Sequence, residues 1–193
     1  MMRNEVLVIL SLALTTLTSC FFQKPPVNRD NATPLTTVEH VDLEQYLGTW
    51  FEVARFENSF QDTSTTQHCV NTRAEYSLDD DKANMINVVN RCHINTPDGE
   101  ESVAKGTAKI LDPESNAKLG VKFFFLAPNA DYWILALGEH YEYSLVGEPE
   151  GRYLWILSRS EILSEELLNE VLSKARKLGY KTDNLRFDPK YHR

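Results

Sequence analysis

His68-Cys69 and Cys92-His93 offer two thiols and two imidazoles, the donor set of a tetrahedral zinc site. Both pairs fall in β-rich runs, where successive side chains point to opposite faces, so each His turns away from the Cys beside it and four ligands do not converge. A bond between the two thiols needs less. The Asp79-Asp80-Asp81 turn joins the two runs, and a hairpin centred between Asp80 and Asp81 sets Cys69 opposite Cys92, within disulfide reach. Catalytic chemistry lacks its parts: a nucleophile needs an adjacent base, yet Ser158 and Ser160 only flank Arg159, and the aspartates are a solvated hairpin tip. His40, His140 and His192 fall in an N-terminal segment, a turn and the tail. No catalytic residue, metal site or cofactor is therefore assigned, and the chain is expected not to be an enzyme.

The third cysteine has different company. Arg3 gives a weakly basic start, Val6 to Leu14 form an apolar stretch, and Leu17-Thr18-Ser19-Cys20 follows. About 18 apolar residues are needed to span a bilayer, so residues 1–19 read as a signal peptide rather than a membrane helix. Leu-Thr-Ser-Cys resembles the lipobox of bacterial lipoproteins, which implies cleavage before Cys20 and diacylglycerol on its thiol as a membrane anchor. Such export leads to an oxidising compartment, where a Cys69–Cys92 disulfide is favoured. In these lipoproteins an Asp after the Cys commonly causes retention in the inner membrane; Phe21 stands there instead. The resemblance thus implies the outer membrane, with the domain facing the periplasm. Residues 20–41, with Pro25, Pro26 and Pro34 and no apolar period, predict a semi-extended tether, and 42–193 the folded domain.

The chain of 193 residues suits one domain. Its formal charge of −8, without a basic block, makes neither nucleic acid nor an anionic surface an electrostatically favoured partner. Short β-rich runs recur at 49–56, 67–78, 84–94, 101–112, 117–126, 131–138, 141–146 and 152–158, broken by turn signals such as Pro97-Asp98-Gly99 and Asp112-Pro113-Glu114. Eight such runs predict a mainly β fold, an eight-stranded antiparallel up-and-down barrel. A helix follows, capped by Ser164, with a Leu167, Leu168, Val171, Leu172, Ala175 stripe, closing cations and Gly179 past its end. The runs "DYWILALG" and "RYLWILS" are apolar on both faces, so this C-terminal helix is expected to pack on the side of the barrel over them. A short last strand is expected near Leu185 to Phe187.

Lys105, Lys109, Lys118 and Lys122 mark outward positions and turn Ala104, Gly106, Ala108, Val121, Phe123 and Phe125 inward. Small residues beside aromatic ones leave room for a ligand, although close backbone contact at Gly106 would instead mean a filled core. Tyr76 joins this wall by alternation. Arg55 reads as a solvated strand residue as readily as an inward one.

Three blocks then carry a family likeness: Gly48-Thr49-Trp50, Asp131-Tyr132-Trp133 and Ser158-Arg159-Ser160, in this order and followed by a helix. The chain resembles the lipocalins, and in "YLGTWFEVARF", "YSLDDD", "INVVN", "KLGVKFF" and "YLWILSRS" the bacterial outer-membrane and apolipoprotein D-like subgroup. The likeness implies that Trp50 plugs the closed end of the barrel with Arg159 stacked on it, a contact worth about 0.5–2 kcal/mol. It also places Tyr153 and Trp155 inward. The second block departs from the family pattern at Ala130, where Thr is usual. Implied for function is non-covalent binding of a fatty acid or lysophospholipid, a lipid with a long acyl chain, in membrane maintenance. Tyr76 or Tyr141 would be head-group contacts near the open end. A tethered lipoprotein that touches cell wall or protein, without a ligand, is the other reading. A homodimer is compatible with the sequence, which does not decide it.

Overall fold

The computed structural model describes residues 25–191 except 33, 65 and 124–128, so the signal peptide, Cys20 and Phe125 lie outside the described residues. Period-two runs form β1 (Gly48–Arg55), β2 (Asp62–Ser64), β3 (Gln67–Leu78), β4 (Met85–Ile94), β5 (Glu101–Ile110), β6 (Lys118–Lys122), β7 (Ala130–Leu137), β8 (Tyr143–Gly147), β9 (Leu154–Ser158) and β10 (Arg186–Phe187). Neighbours in sequence pair antiparallel from β3 to β9, and β1 bonds to both β3 and β9, which closes eight strands into a barrel. The two remaining strands are accessory. β2 folds back on the start of β3, and β10 covers the end of β1 through Ala54 and Arg55.

Among the described residues two α-helices complete the fold. α1 (Leu43–Tyr46) is capped by the Asp42 carboxylate, which accepts from Glu44 N–H at 3.0 Å. α2 (Glu165–Lys177) starts at Ser164, whose hydroxyl accepts from Leu167 N–H, and is followed by Gly179 at φ +89°, a left-handed conformation natural to glycine. Its Val171 and Ala175 are buried with Leu135, Tyr143, Leu145, Leu154 and Ile156, outward residues of β7, β8 and β9. This second core explains why those strands are apolar on both faces.

Register slips reassign faces. β1 bulges between Glu52 and Ala54, so Ala54 and Phe56 join the helix-covered core while Arg55 turns to the same side as Glu52. β3 bulges between Val70 and Arg73. Because the β3–β4 turn is longer than the Asp triplet, Cys69 pairs with Ile94 rather than with Cys92. The bulge restores the contact diagonally: Cys92 lies against the extra residue, 5.4 Å from Cys69 between Cα atoms, and the disulfide forms.

Residues 25–41 are not a free tether. Asn28 N–H donates to Gly151 O, Asp30 N–H to Gly179 O, Val38 N–H to Ile134 O and Val41 N–H to Ser115 O, so the segment is a strap bonded along the barrel. Arg29 bridges to Tyr180 and is buried, and Val41 is fully buried in the core. The strap belongs to the domain.

The Cys69→Ala/Cys92→Ala double variant is expected to lose about 3 kcal/mol of unfolding free energy in urea titration, since a closed loop of this size restricts the unfolded chain by that amount.

Candidate functional site

The barrel is a cup with a floor and a mouth. The floor is made where β1 begins and β9 ends. Trp50 is fully buried there, its Nε1 donating to Tyr46 O at 2.8 Å, and the Arg159 guanidinium lies 3.8 Å from the Trp50 ring centroid. Arg159 Nη1 also donates to Thr49 O at 2.9 Å, and Nη2 to Gln45 O. One cation thus closes backbone groups and indole together, as a plug requires.

Above the plug runs a chain of hydroxyls. Tyr46 Oη lies 3.1 Å from Ser144 Oγ and 2.9 Å from Tyr132 Oη, which in turn lies 3.0 Å from Tyr76 Oη. Burial pushes the Tyr46 phenol up to about 12, and burial likewise raises those of Tyr76 and Tyr132, so all three are neutral donors and acceptors. Tyr76 therefore belongs to the floor and not to the open end. Tyr141 is a closed-end turn residue whose hydroxyl accepts from Asp42 N–H. Neither expected head-group residue lies at the mouth.

Toward the mouth the inward faces open. On β5, Ile110 and Ala108 are buried, Gly106 is half-buried and Ala104 exposed; on β6, Leu119 is buried and Val121 half-buried, followed by half-buried Phe123. β4 pairs with β5 along its whole length, whereas on the other side β6 pairs with it only from Thr107 to Ile110. At Gly106 a Cβ would stand 2.6 Å from Lys122 O and 2.8 Å from the Phe123 ring, which requires glycine. The room expected at Gly106 is thus occupied by Phe123, while Ala104 nearer the mouth is exposed. Trp155 faces inward beside Arg55, while Tyr153 sits on the rim.

The mouth carries an ion cluster that the sequence did not announce. Arg55 Nη1 donates to Glu52 Oε1 at 2.5 Å, and Arg55 grips Asp62 through Nη2 at 2.6 Å and Nε at 3.1 Å. Gln61 links the cluster to the indole, donating to Glu52 Oε2 at 2.6 Å and accepting from Trp155 Nε1 at 2.9 Å. Burial alone would raise the Asp62 carboxyl; the hydrogen bonds and charge of Arg55 outweigh it and hold that group below the usual range. Bidentate geometry and full pairing are what make a buried cation tolerable. Nearby, Thr72 Oγ1 and Asn90 Oδ1 are buried without a hydrogen-bond partner.

His68 Nδ1 lies 2.9 Å from Asp62 Oδ1, and both neighbouring cysteines are consumed by the disulfide. Among the described residues no group of three or more His, Cys, Asp or Glu could hold a metal.

A closed antiparallel cup with a Trp–Arg plug, a side helix and an accessible mouth defines a class of binding barrel. The lipocalin-like domain family matches residues 41–190, and the chain belongs to that family. It is 33% identical over 180 residues to the outer membrane lipoprotein Blc of Escherichia coli strain K12, covering 93% of each chain. Temperature-induced lipocalin-1 of Arabidopsis thaliana is 35% identical over 162 residues, 80% of this chain and 82% of that one. Among solved structures, insecticyanin of the tobacco hornworm Manduca sexta superposes with a TM-score of 0.60 at 22% identity, over 81% of this chain and 84% of that one.

Arg55→Met strands buried Glu52 and is expected to cost about 3–5 kcal/mol in denaturant unfolding. A carboxylate depressed in the folded state stabilises above its unfolded value and loses that contribution below it. Acidification through and below about 4 is therefore expected to release the 57–66 loop first, read as early amide exchange at Gln61 and Asp62 relative to β4.

Proposed function

We propose that the chain is an outer-membrane lipoprotein, anchored through Cys20, whose barrel holds one lipid by its acyl chain without transforming it. The single observation that carries this reading is the gradient along the inward faces. They are sealed at Trp50, Ala108 and Leu119 and accessible at Val121, Phe123, Trp155 and Ala104, so solvent or a chain enters from one end only. The kinship with an outer membrane lipoprotein over nearly the whole chain supports the location, and the lipobox-like Leu17 to Cys20 the anchor.

The chemistry fits a long apolar ligand. Ten buried methylenes contribute about 8 kcal/mol before ordering costs, which corresponds to roughly micromolar affinity. The floor hydroxyls bond to one another, so the terminal methyl of a chain meets a floor that asks for nothing polar. The polar end would stay at the mouth, among Gln61, Asn90 and the Arg55 cluster. A filled barrel acting by surface contact is favoured by one observation, the Phe123 ring against Gly106.

Titration with palmitate and with lysophosphatidylcholine, followed by isothermal calorimetry, separates the two. A filled barrel gives no saturation. A carrier gives micromolar saturation, and Ala104→Trp, at an exposed inward position near the mouth, is expected to weaken it about tenfold while leaving thermal stability unchanged.

A further inference from the structure

The strap leaves the barrel at the mouth. Asn28 N–H donates to Gly151 O at 2.8 Å, and Lys181 N–H donates to Asn28 O at 2.9 Å, while Pro26 shares a shallow groove with Glu57, Asn184 and Arg186. Gly151 belongs to the turn between β8 and β9, one of the mouth turns. Tyr153, two residues further on, stacks on Trp155 with centroids 5.8 Å apart and meets Phe60 at 5.5 Å. The strap's point of exit and this aromatic group are therefore held by one short turn.

Phe60 is 63% exposed and Val27, in the strap, 41%. The loop that carries Phe60 is braced: Asn58 Oδ1 accepts from both Phe60 and Gln61 N–H, and Asp62 N–H donates to Asn58 O. A phenyl ring held in water on a fixed loop gains no burial inside the molecule. The closed end also exposes Leu78, Leu111 and Ile162, but the strap exits from the other end.

Pro25 is five steps along the chain from Cys20, and an extended chain covers at most about 3.6 Å per step, so the backbone reach between them is at most about 18 Å. The closed-end turn lies farther off, roughly 35 Å from the mouth along the twelve residues of β3. We propose that the rim formed by Phe60, Tyr153 and Val27 docks on the surface of the bilayer that anchors Cys20, so that the barrel opens onto the membrane. This orientation rests on the anchored, lipid-binding reading above.

Attraction between charges does not supply the docking. The mouth turns carry exposed Asp98 and Glu100, and Glu57 and Glu150 there are paired with Arg186 and Arg152, so these groups offer an anionic leaflet no attraction. Aromatic rings instead partition to the headgroup region, with a tyrosine hydroxyl such as that of Tyr153 kept wet. A lipid then passes between bilayer and barrel through the rim without crossing open water.

The full-length protein, with lipid on Cys20 verified by mass spectrometry, is reconstituted in vesicles of phosphatidylethanolamine and phosphatidylglycerol containing spin-labelled lipid. A fluorophore is placed beside the rim on Ser59→Cys, which keeps Phe60, or, at the closed end, on Asp80→Cys. Emission at 59 is expected to fall about twofold against vesicles without spin label, equally at low and high salt, with no loss at 80. An anchored protein with no loss at 59, or with the loss at 80, overturns the docking and leaves the anchor intact. A Cys20 that carries no lipid overturns the anchor and the orientation together.

Discussion

A guanidinium inside a barrel must be met by carboxylates, because the cost of removing it from water is several kcal/mol and only paired, hydrogen-bonded charge offsets it. Arg55 is almost completely buried, and its two partners come from different places. Glu52 is on the same strand and faces the same way only because β1 bulges between them. Asp62 is brought by the chain that folds back over the mouth. Once Asp62 is held, Gln61 reaches Trp155, Asn58 braces the loop, and Phe60 is left on the rim. One irregular residue in β1 thereby sets the position of the whole mouth loop.

The two ends use cations differently. At the floor Arg159 lies across an indole and two backbone carbonyls, with part of its surface wet, and burial lowers its pKa from the ordinary value. At the mouth Arg55 faces carboxylates, whose charge raises its pKa against the opposing effect of burial. The first arrangement seals without needing a counter-charge. The second depends on ionised acids and therefore on pH. A floor insensitive to acid and a loop sensitive to it suit a cup that opens at one end.

The barrel and the helix were legible because both rest on periodicity: outward lysines alternating with inward small and aromatic residues, strands apolar on both faces, and a capped amphipathic stretch. Trp50 and Arg159 were legible through the likeness to lipocalins. What escaped was whatever depends on register. The bulge after Glu52 carries no compositional mark, so Arg55 could not be assigned a face. The turn beyond Asp81 shifted the β3–β4 register, and the cysteines meet through the β3 bulge rather than directly across the hairpin. The strap escaped for another reason: it is held by backbone hydrogen bonds, to which a proline-rich sequence gives no clue. Tyr76 was rightly turned inward but given to the wrong end, since alternation sets a face and not a depth.

The claim on which the rest stands is that an acyl chain lies inside the barrel between the tyrosine floor and the mouth. Isotope-filtered NMR of protonated palmitate with deuterated, methyl-labelled protein measures this directly. The expected result is cross-peaks from the acyl chain to Val88 and Val121 and none to Val171 under the helix. Cross-peaks confined to the outer surface, or none at saturating lipid, would contradict it.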